Sequence, residues 1–240
     1  MYLENLVFDA LDPRRLGRFW QEALGTETLT DEPDGFETRL HHPGGPDLDL
    51  CFQRVPEPPS EPLRLHLDLR GGDRQQDAVD RLLALGARHL DIGQHDVPWV
   101  VLGDVEDNPF CVMEEREAYV DTGPIAALPL DSSDPERDGE LWAWLTGWTP
   151  APGVSPVSLR HPSRRGPLLE LCPEREPKGR GAKNRLHLDV RLEKGDDPDQ
   201  VARGIAERGG REFDHAWGTL PWRVYTDGSG NQVCVLPAPS

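Results

Sequence analysis

A short alternating pattern of polar and apolar residues occurs twice in the chain. It runs Arg64-Leu65-His66-Leu67-Asp68-Leu69 at its first occurrence and Arg185-Leu186-His187-Leu188-Asp189-Val190 at its second. Successive side chains of a β-strand point to opposite faces, so the apolar residues share one face and Arg, His and Asp share the other. Both stretches are predicted to be strands with one face in the core and a polar face that meets water or lines a cavity.

Helix signals follow the first predicted strand of the chain, residues 3–10. Asp12 and Pro13 are typical of an N-cap and a first helical position, and Gly25 is typical of a helix end. Apolar residues between them are spaced as on one helix face, at Leu16, Phe19, Trp20, Ala23 and Leu24. Three short strands separated by Pro and Gly turns are predicted next. This β-α-β-β-β order recurs, giving four such modules in the chain.

The four modules arise from an internal repeat of the sequence. Matching residues lie 121 to 123 positions apart, as in the pairs Trp20 and Trp142, Cys51 and Cys172, His66 and His187, Trp99 and Trp222, and Cys111 and Cys234. A solenoid would need at least three shorter units. The repeat therefore predicts two domains, 1–118 and 124–240, with a linker at 119–123.

Composition and charge limit the classes of partner. The chain has 240 residues, 36% hydrophobic and 29% charged, as in a globular protein. Its net charge of -17 disfavours binding to nucleic acid or to an anionic membrane surface. That charge would attract a cationic ligand, although acidity also serves solubility alone. We expect the partner to be a small-molecule ligand, which could be a cation. We expect no nucleic-acid or membrane partner.

The sequence carries no signal for export or for membrane insertion. Its first residues lack a basic segment followed by an apolar run, and no window approaches the roughly 18 apolar residues of a membrane span. The four cysteines fall into repeated pairs, and a chain of this size needs no disulfide staples. We therefore expect a cytoplasmic protein with reduced thiols.

Several motifs in the repeat resemble a known family. They are Asp9 with Asp12-Pro13, Phe19-Trp20 ending at Leu24-Gly25, the repeated Arg-Leu-His-Leu-Asp stretch, and Asp107-Asn108 before Phe110-Cys111-Val112. The pattern resembles the glyoxalase-like family of the vicinal oxygen chelate superfamily, which includes glyoxalase I, extradiol dioxygenases and fosfomycin- and bleomycin-resistance proteins. The resemblance implies an α+β fold of tandem glyoxalase-like domains. Paired modules would form curled mixed sheets, with helices on the convex side and a cup on the other.

In metal-using members, the resemblance implies ligands from the first and last strands of the modules. The corresponding residues of the two copies are Asn5, Asp49, His66 and Pro109, and Ala127, Glu170, His187 and Gln232. Pro and Ala cannot coordinate a metal, so neither set is complete. The better metal candidate is Glu170 with His187 and Gln232, and the weaker is Asp49 with His66. The expected cofactor is none or a single divalent metal ion.

The cup floors are the predicted ligand-binding sites. The candidates are Asp9, Arg64, His66, Asp68, Trp99, Asp131, Arg185, His187, Asp189 and Trp222. The two tryptophans either pack at the rim or stack on a ligand. Asp131 or Asp189 could also supply a metal oxygen. Alternatively, the histidines belong to a hydrogen-bonded polar network that holds no metal.

Two functions remain open on the sequence. The first is a small-molecule binder without a complete metal site, similar to bleomycin-resistance proteins. The second is a metal-dependent lyase, isomerase or dioxygenase with the metal in the second domain, where the ion acts as a Lewis acid. Modules could pair within a copy, between copies or across a dimer, so both a monomer and a homodimer are possible.

Overall fold

A computed structural model describes residues 1–57, 62–174, 179 and 183–239. Four modules follow one another. Module 1 contains β1 (Tyr2–Ala10), α1 (Pro13–Leu24), β2 (Glu27–Glu32), β3 (Gly35–Leu40) and β4 (Leu48–Arg54). Module 2 contains β5 (Asp68–Gly72), α2 (Gln75–Ala84), β6 (Arg88–His89), β7 (Val100–Gly103) and β8 (Pro109–Glu114).

A 3-10 turn at Glu117–Tyr119 leads into the second copy. Module 3 contains β9 (Ile125–Ser132), α3 (Pro135–Thr146), β10 (Thr149–Pro150), β11 (Val157–Arg160) and β12 (Leu168–Pro173). Module 4 contains β13 (Leu186–Arg191), α4 (Pro198–Glu207), β14 (Arg211–Glu212), β15 (Arg223–Thr226) and β16 (Gln232–Leu236). The predicted β-α-β-β-β order is confirmed.

The modules pair between the two copies. One eight-stranded sheet has the order β14-β15-β16-β13-β1-β4-β3-β2, so module 1 joins module 4. The other has the order β10-β11-β12-β9-β5-β8-β7-β6, so module 2 joins module 3. The join is antiparallel in both sheets, between β1 and β13 and between β5 and β9. We call the concave face of the first sheet cup A and that of the second sheet cup B.

Local signals explain where the first helix of each copy begins and ends. The Asp12 carboxylate accepts the Arg15 N–H, Pro13 is the first helical residue, and Gly25 ends α1 in the left-handed region at φ 70°. Asp134 caps α3 in the same way, and Gly147 ends it at φ 69°. Residues with a Cβ disfavour this backbone conformation, which accounts for glycine at both ends.

A tryptophan on each of these helices ties the two modules of one copy together. Trp20 and Trp142 are buried, as expected from the apolar helix face that carries Trp20 and from the repeat that matches it to Trp142. The indole N–H of Trp20 donates to Asp104 Oδ2 at 3.0 Å, and that of Trp142 donates to Asp227 Oδ2 at 3.0 Å. Both aspartates lie in the turn before the last strand of the next module. The cups are thus linked through the helices as well as through the core.

One apolar core lies between the sheets and the four helices. It includes the apolar residues of both repeated stretches, Leu65, Leu67, Leu69, Leu186, Leu188 and Val190. The predicted alternation is therefore confirmed. The first stretch differs in one respect: β5 begins only at Asp68, and Leu65 before it forms an isolated bridge with Leu130. The pairing of β5 with β9 is also irregular between Asp68 and Leu69. No helix among the described residues has the length and apolar character needed to cross a membrane.

Candidate functional site

Cup A contains a cavity of about 680 Å³. Its floor is formed by β1, β4, β13 and β16, the strands at the centre of the first sheet. The loop before β15 covers one side with Trp217 and Trp222, and residues 53–57 cover another. A volume of this size is within the range of pockets that hold small organic molecules, roughly 300 to 1,000 Å³.

His187, Asp189 and Cys234 lie together on this floor. His187 and Asp189 are two residues apart on β13 and share a face, and Asp189 is in register with Cys234 on β16. The ligand atoms of the three residues lie within 4.8 Å of one another, and His187 Nε2 is 3.4 Å from Asp189 Oδ1. Asn5 Nδ2 donates to Asp189 Oδ2 at 3.2 Å. Asp189 Oδ1 and His187 Nδ1 are buried without a hydrogen-bond partner.

Burial determines the protonation of this trio. It lowers the pKa of His187 to about 3, assisted by the positive charge of Lys183. Burial raises the pKa of Asp189 to about 7 and that of the Cys234 thiol well above its usual value. At neutral pH the imidazole is therefore uncharged and the thiol keeps its proton. The imidazole offers a nitrogen lone pair, but the cysteine is no free thiolate nucleophile.

A lysine and an aspartate meet at the edge of the cavity. The Asp9 carboxylate is fully buried, and Lys183 Nζ donates to its Oδ1. The same ammonium lies 5.6 Å above the ring centroid of Trp217. Asp9 Oδ2 has no hydrogen-bond partner, and burial raises the pKa of this carboxyl against the opposing charge of Lys183. The Lys183 ammonium thus lies between a carboxylate and an aromatic ring.

Cup B repeats the trio with His66, Asp68 and Cys111. Their ligand atoms also lie within 4.8 Å of one another, and His66 Nε2 is 3.4 Å from Asp68 Oδ1. The histidine is more open, since 35% of its side chain is exposed against 8% for His187. The two copies have thus retained one arrangement of side chains on two separate floors.

The space above the floor of cup B is taken by the chain itself. Tyr119 is buried against residues of the concave face, including Cys111, Ala127 and Leu168. Arg116 Cζ lies 5.6 Å from the ring centroids of both Trp99 and Tyr119. Burial raises the pKa of the Tyr119 phenol, and nearby acidic groups add to that shift. The segment that joins the copies therefore occupies the part of the second cup beside Cys111, while His66 stays partly open.

The predicted grouping of Glu170, His187 and Gln232 is wrong, because modules pair between copies. Glu170 is on β12 in the sheet of cup B, whereas His187 and Gln232 are in the sheet of cup A. Gln232 Oε1 accepts the Asn184 N–H at 2.7 Å, so its amide oxygen is already used. Glu170 Oε1 accepts the Val154 N–H at 2.8 Å, and burial raises the pKa of this carboxyl.

The weaker metal pair, Asp49 with His66, is separated for the same reason. Asp49 is on β4 in the sheet of cup A, and His66 is at the floor of cup B. Arg39 binds both carboxylate oxygens of Asp49, each at 2.7 Å. A bidentate arginine leaves that carboxylate poorly placed to coordinate an ion.

The remaining predicted ligand-binding residues occupy different places. Trp222 lines the cavity of cup A, whereas Trp99 lies beneath Arg116 in cup B. Arg64 does not face a cup floor as expected: it is buried and donates to Glu174 Oε1 at 2.9 Å and to the Gly179 carbonyl at 2.8 Å. Arg185 acts electrostatically on Asp9. Asp131 is on β9, where its carbonyl accepts from Asn231 Nδ2.

Sequence reasoning missed three residues of the cup A site. Cys234 was not among the predicted site residues, yet it lies beside Asp189. Lys183 and Trp217 precede β13 and β15 in segments without a periodic pattern. The available signal was the repeated spacing of His, Asp and Cys in both copies, which places Cys234 and Cys111 at equivalent positions.

Comparisons with known proteins agree with this architecture. The model of the glyoxalase-like domain matches the chain twice, at residues 5–113 and 127–236. No curated protein is significantly similar in sequence.

Among solved structures, glyoxalase I from Zea mays has a TM-score of 0.68 at 13% identity, over 98% of this chain and 92% of that one. The cppA protein from Streptococcus pneumoniae TIGR4 has a TM-score of 0.50 at 12% identity, over 99% and 98% of the respective chains. At these identities the likeness concerns the fold.

Proposed function

Because this chain belongs to the glyoxalase-like domain family, we propose that it binds a small organic molecule in cup A. The observation that carries the proposal is the cavity of about 680 Å³, with apolar walls and buried polar atoms at its floor. Such pockets typically combine an apolar lining with a few polar groups that orient the ligand. Both sheets are complete within one chain, so a monomer suffices to form the site.

We further propose that the ligand carries a positive charge or a strong hydrogen-bond donor. Asp9 Oδ2 and Asp189 Oδ1 are buried acceptors without partners, and a ligand donor would satisfy them. The cations of the lining are already paired, Arg54 with Asp34, Arg191 with Glu4 and Lys183 with Asp9. The net charge of -17 favours the approach of a cation.

The metal-dependent alternative loses the ligand set that motivated it, because Glu170 and His187 are on different sheets. One observation still favours a metal in this protein, namely the compact trio of His187, Asp189 and Cys234. This trio supports the binding of an ion, but it does not indicate which reaction the protein would catalyse.

Three probes that share a benzene ring and differ in charge test the proposal: benzylamine, benzyl alcohol and benzoate. We expect benzylamine to bind with a Kd of about 1 mM, typical of so small a ligand, and benzoate to bind at least about tenfold more weakly. Calorimetric titration in the presence of a chelator measures both values.

Two tryptophan variants locate the binding site. Trp222→Ala removes a wall of cup A and should weaken benzylamine binding, whereas Trp99→Ala changes the equivalent position in cup B and should not. Absence of binding by all three probes, or equal losses in the two variants, would refute binding in cup A. Tighter binding of benzoate than of benzylamine would refute the cationic preference.

A further inference from the structure

We propose that His187, Asp189 and Cys234 form a binding site for a divalent transition-metal ion of the Zn²⁺ and Co²⁺ class on the floor of cup A. The inference deepens the proposed function, since the same cavity would hold the organic ligand. It does not depend on that ligand and can be tested without it.

The spacing of the trio suits one ion. Bond lengths of about 2.0 to 2.3 Å from zinc to N, O and S place the ligand atoms of a tetrahedral site about 3.3 to 3.8 Å apart. His187 Nε2 and Asp189 Oδ1 are 3.4 Å apart, and all three ligand atoms lie within 4.8 Å. Small side-chain rotations would bring Cys234 Sγ to the same centre.

The floor also supplies a buried carboxylate oxygen that lies beside the His187 imidazole and the Cys234 thiol. Asp189 Oδ1 is buried and has no hydrogen-bond partner, an arrangement that costs free energy in the absence of a ligand. The other carboxylate oxygen accepts from Asn5 Nδ2, which fixes the orientation of the group. Asp189 is therefore held with one oxygen directed at the histidine and cysteine.

The donor types select the class of ion. A thiolate, an imidazole and a carboxylate suit Zn²⁺ or Co²⁺, whereas Mg²⁺ and Ca²⁺ require sets of oxygen ligands. On binding, Cys234 loses its thiol proton to solvent, and its charge together with that of the Asp189 carboxylate balances the two charges of the ion. The cavity above leaves a fourth position for water or for a ligand atom.

This set differs from the positions that the family resemblance implies. Those positions in cup A are Asn5, Asp49, His187 and Gln232, of which Asp49 is bound by Arg39 and the Gln232 amide oxygen by Asn184. Two of the proposed ligands, Asp189 and Cys234, lie two residues further along β13 and β16. The site is thus displaced along the same strands.

Cup B provides the matched comparison. It holds His66, Asp68 and Cys111 in the same arrangement, but the Arg116 guanidinium and Tyr119 lie over that floor. A fixed cation and an occupied cavity disfavour an added ion. In cup A the nearby Lys183 is neutralised by Asp9. We therefore assign the site to cup A alone.

The test is a titration of the full chain with Co²⁺, after removal of metal by a chelator and with all thiols reduced. Binding through Cys234 gives thiolate-to-cobalt charge-transfer absorption in the near ultraviolet, with an end point of one ion per chain. Cys234→Ser should abolish this absorption and weaken binding by more than about 100-fold, beyond the usual cost of losing an outer hydrogen-bond partner. Cys111→Ser should leave both unchanged.

The outcomes separate this inference from the proposed function. Absence of the absorption in the unaltered chain, its persistence in Cys234→Ser or its loss in Cys111→Ser would overturn the metal site. Far-ultraviolet circular dichroism shows whether each variant is folded, and Asp189→Asn gives a second variant should Cys234→Ser unfold. Benzylamine binding in chelator tests the cavity by itself, so either proposal can fail without the other.

Discussion

Cup A and cup B have the same plan and differ in what lies above the floor. Each is an eight-stranded sheet from one module of each copy, and each carries His, Asp and Cys within 4.8 Å. In cup A a cavity of about 680 Å³ lies above this trio. In cup B the corresponding space holds Tyr119 and Arg116. The His, Asp and Cys residues of the floor are therefore the same in both copies, whereas the connecting segments above the two floors differ.

The connections explain why one cup is open. The chain leaves β8 and crosses cup B through the turn at Glu117–Tyr119 before it enters β9. No segment that the structure describes crosses cup A in this way. Instead, the residues before β13 supply Lys183, which pairs with Asp9 at the edge of the cavity. The position of Lys183 is occupied in the first copy by Pro62, which can supply no such charge.

The largest expected effect concerns the link between the cups. Trp142 is on α3 of module 3, whose strands belong to the sheet of cup B. Its indole N–H donates a hydrogen bond to Asp227 of module 4, whose strands belong to the sheet of cup A. Trp142→Ala leaves a large cavity and removes a donor from a buried carboxylate, so we expect a loss of about 3 to 5 kcal/mol in the free energy of unfolding. Urea denaturation followed by circular dichroism and fluorescence measures it.

Trp20→Ala is the matched variant in the first copy, since Trp20 bonds to Asp104 in the same way. Both variants should show one transition at lower urea, because either bond joins a module of cup A to a module of cup B. Two separated transitions, with only one of them shifted, would indicate that the cups fold independently.

The next prediction concerns a substitution that should open cup B. Tyr119→Ala removes a buried aromatic ring, and we expect it to cost about 3 kcal/mol of stability. The emptied space lies against Trp99, Ala127 and Leu168, so benzylamine should bind at a second site. Calorimetry should then give two sites per chain, of which Trp222→Ala removes only the one in cup A. A single site in destabilised Tyr119→Ala would mean that the floor of cup B collapses when the ring is lost.

Much of the fold could be predicted because its signals are local. The caps at Asp12 and Asp134, the glycine ends of the helices and the alternation around His66 and His187 depend on neighbouring residues alone. Repetition of these signals strengthened each prediction. The four modules and the core positions of Trp20 and Trp142 follow from them.

The metal grouping failed because the pairing of modules is a long-range property. Leu65 and Leu186 are buried whether modules pair within a copy or between copies, so hydrophobic patterning does not distinguish the two arrangements. The observed pairing places Glu170 and His187 on different sheets. For the same reason, local patterning could not predict that Tyr119, within the predicted linker, packs against the floor of cup B.

The smallest expected effect, taken per pH unit, concerns the floor of cup A. Burial raises the pKa of Asp189 to about 7 in the folded protein, from an ordinary value of 3.8. Between these values the folded state binds more protons than the unfolded state. The group therefore lowers the free energy of unfolding as the pH rises, by about 1.4 kcal/mol per pH unit. Asp189→Asn should gain stability relative to the unaltered chain across pH 4 to 7.

His187 should act in the opposite sense, which makes the comparison specific. Its folded pKa of about 3 lies below the ordinary 6.5, so the unfolded state binds the extra proton and stability falls as the pH drops through that window. His187→Gln should remove this loss, whereas Asp189→Asn removes the loss at rising pH. Urea denaturation at several pH values in chelator measures both. Parallel curves for the unaltered chain and the two variants would mean that the floor of cup A is hydrated and that burial shifts neither group.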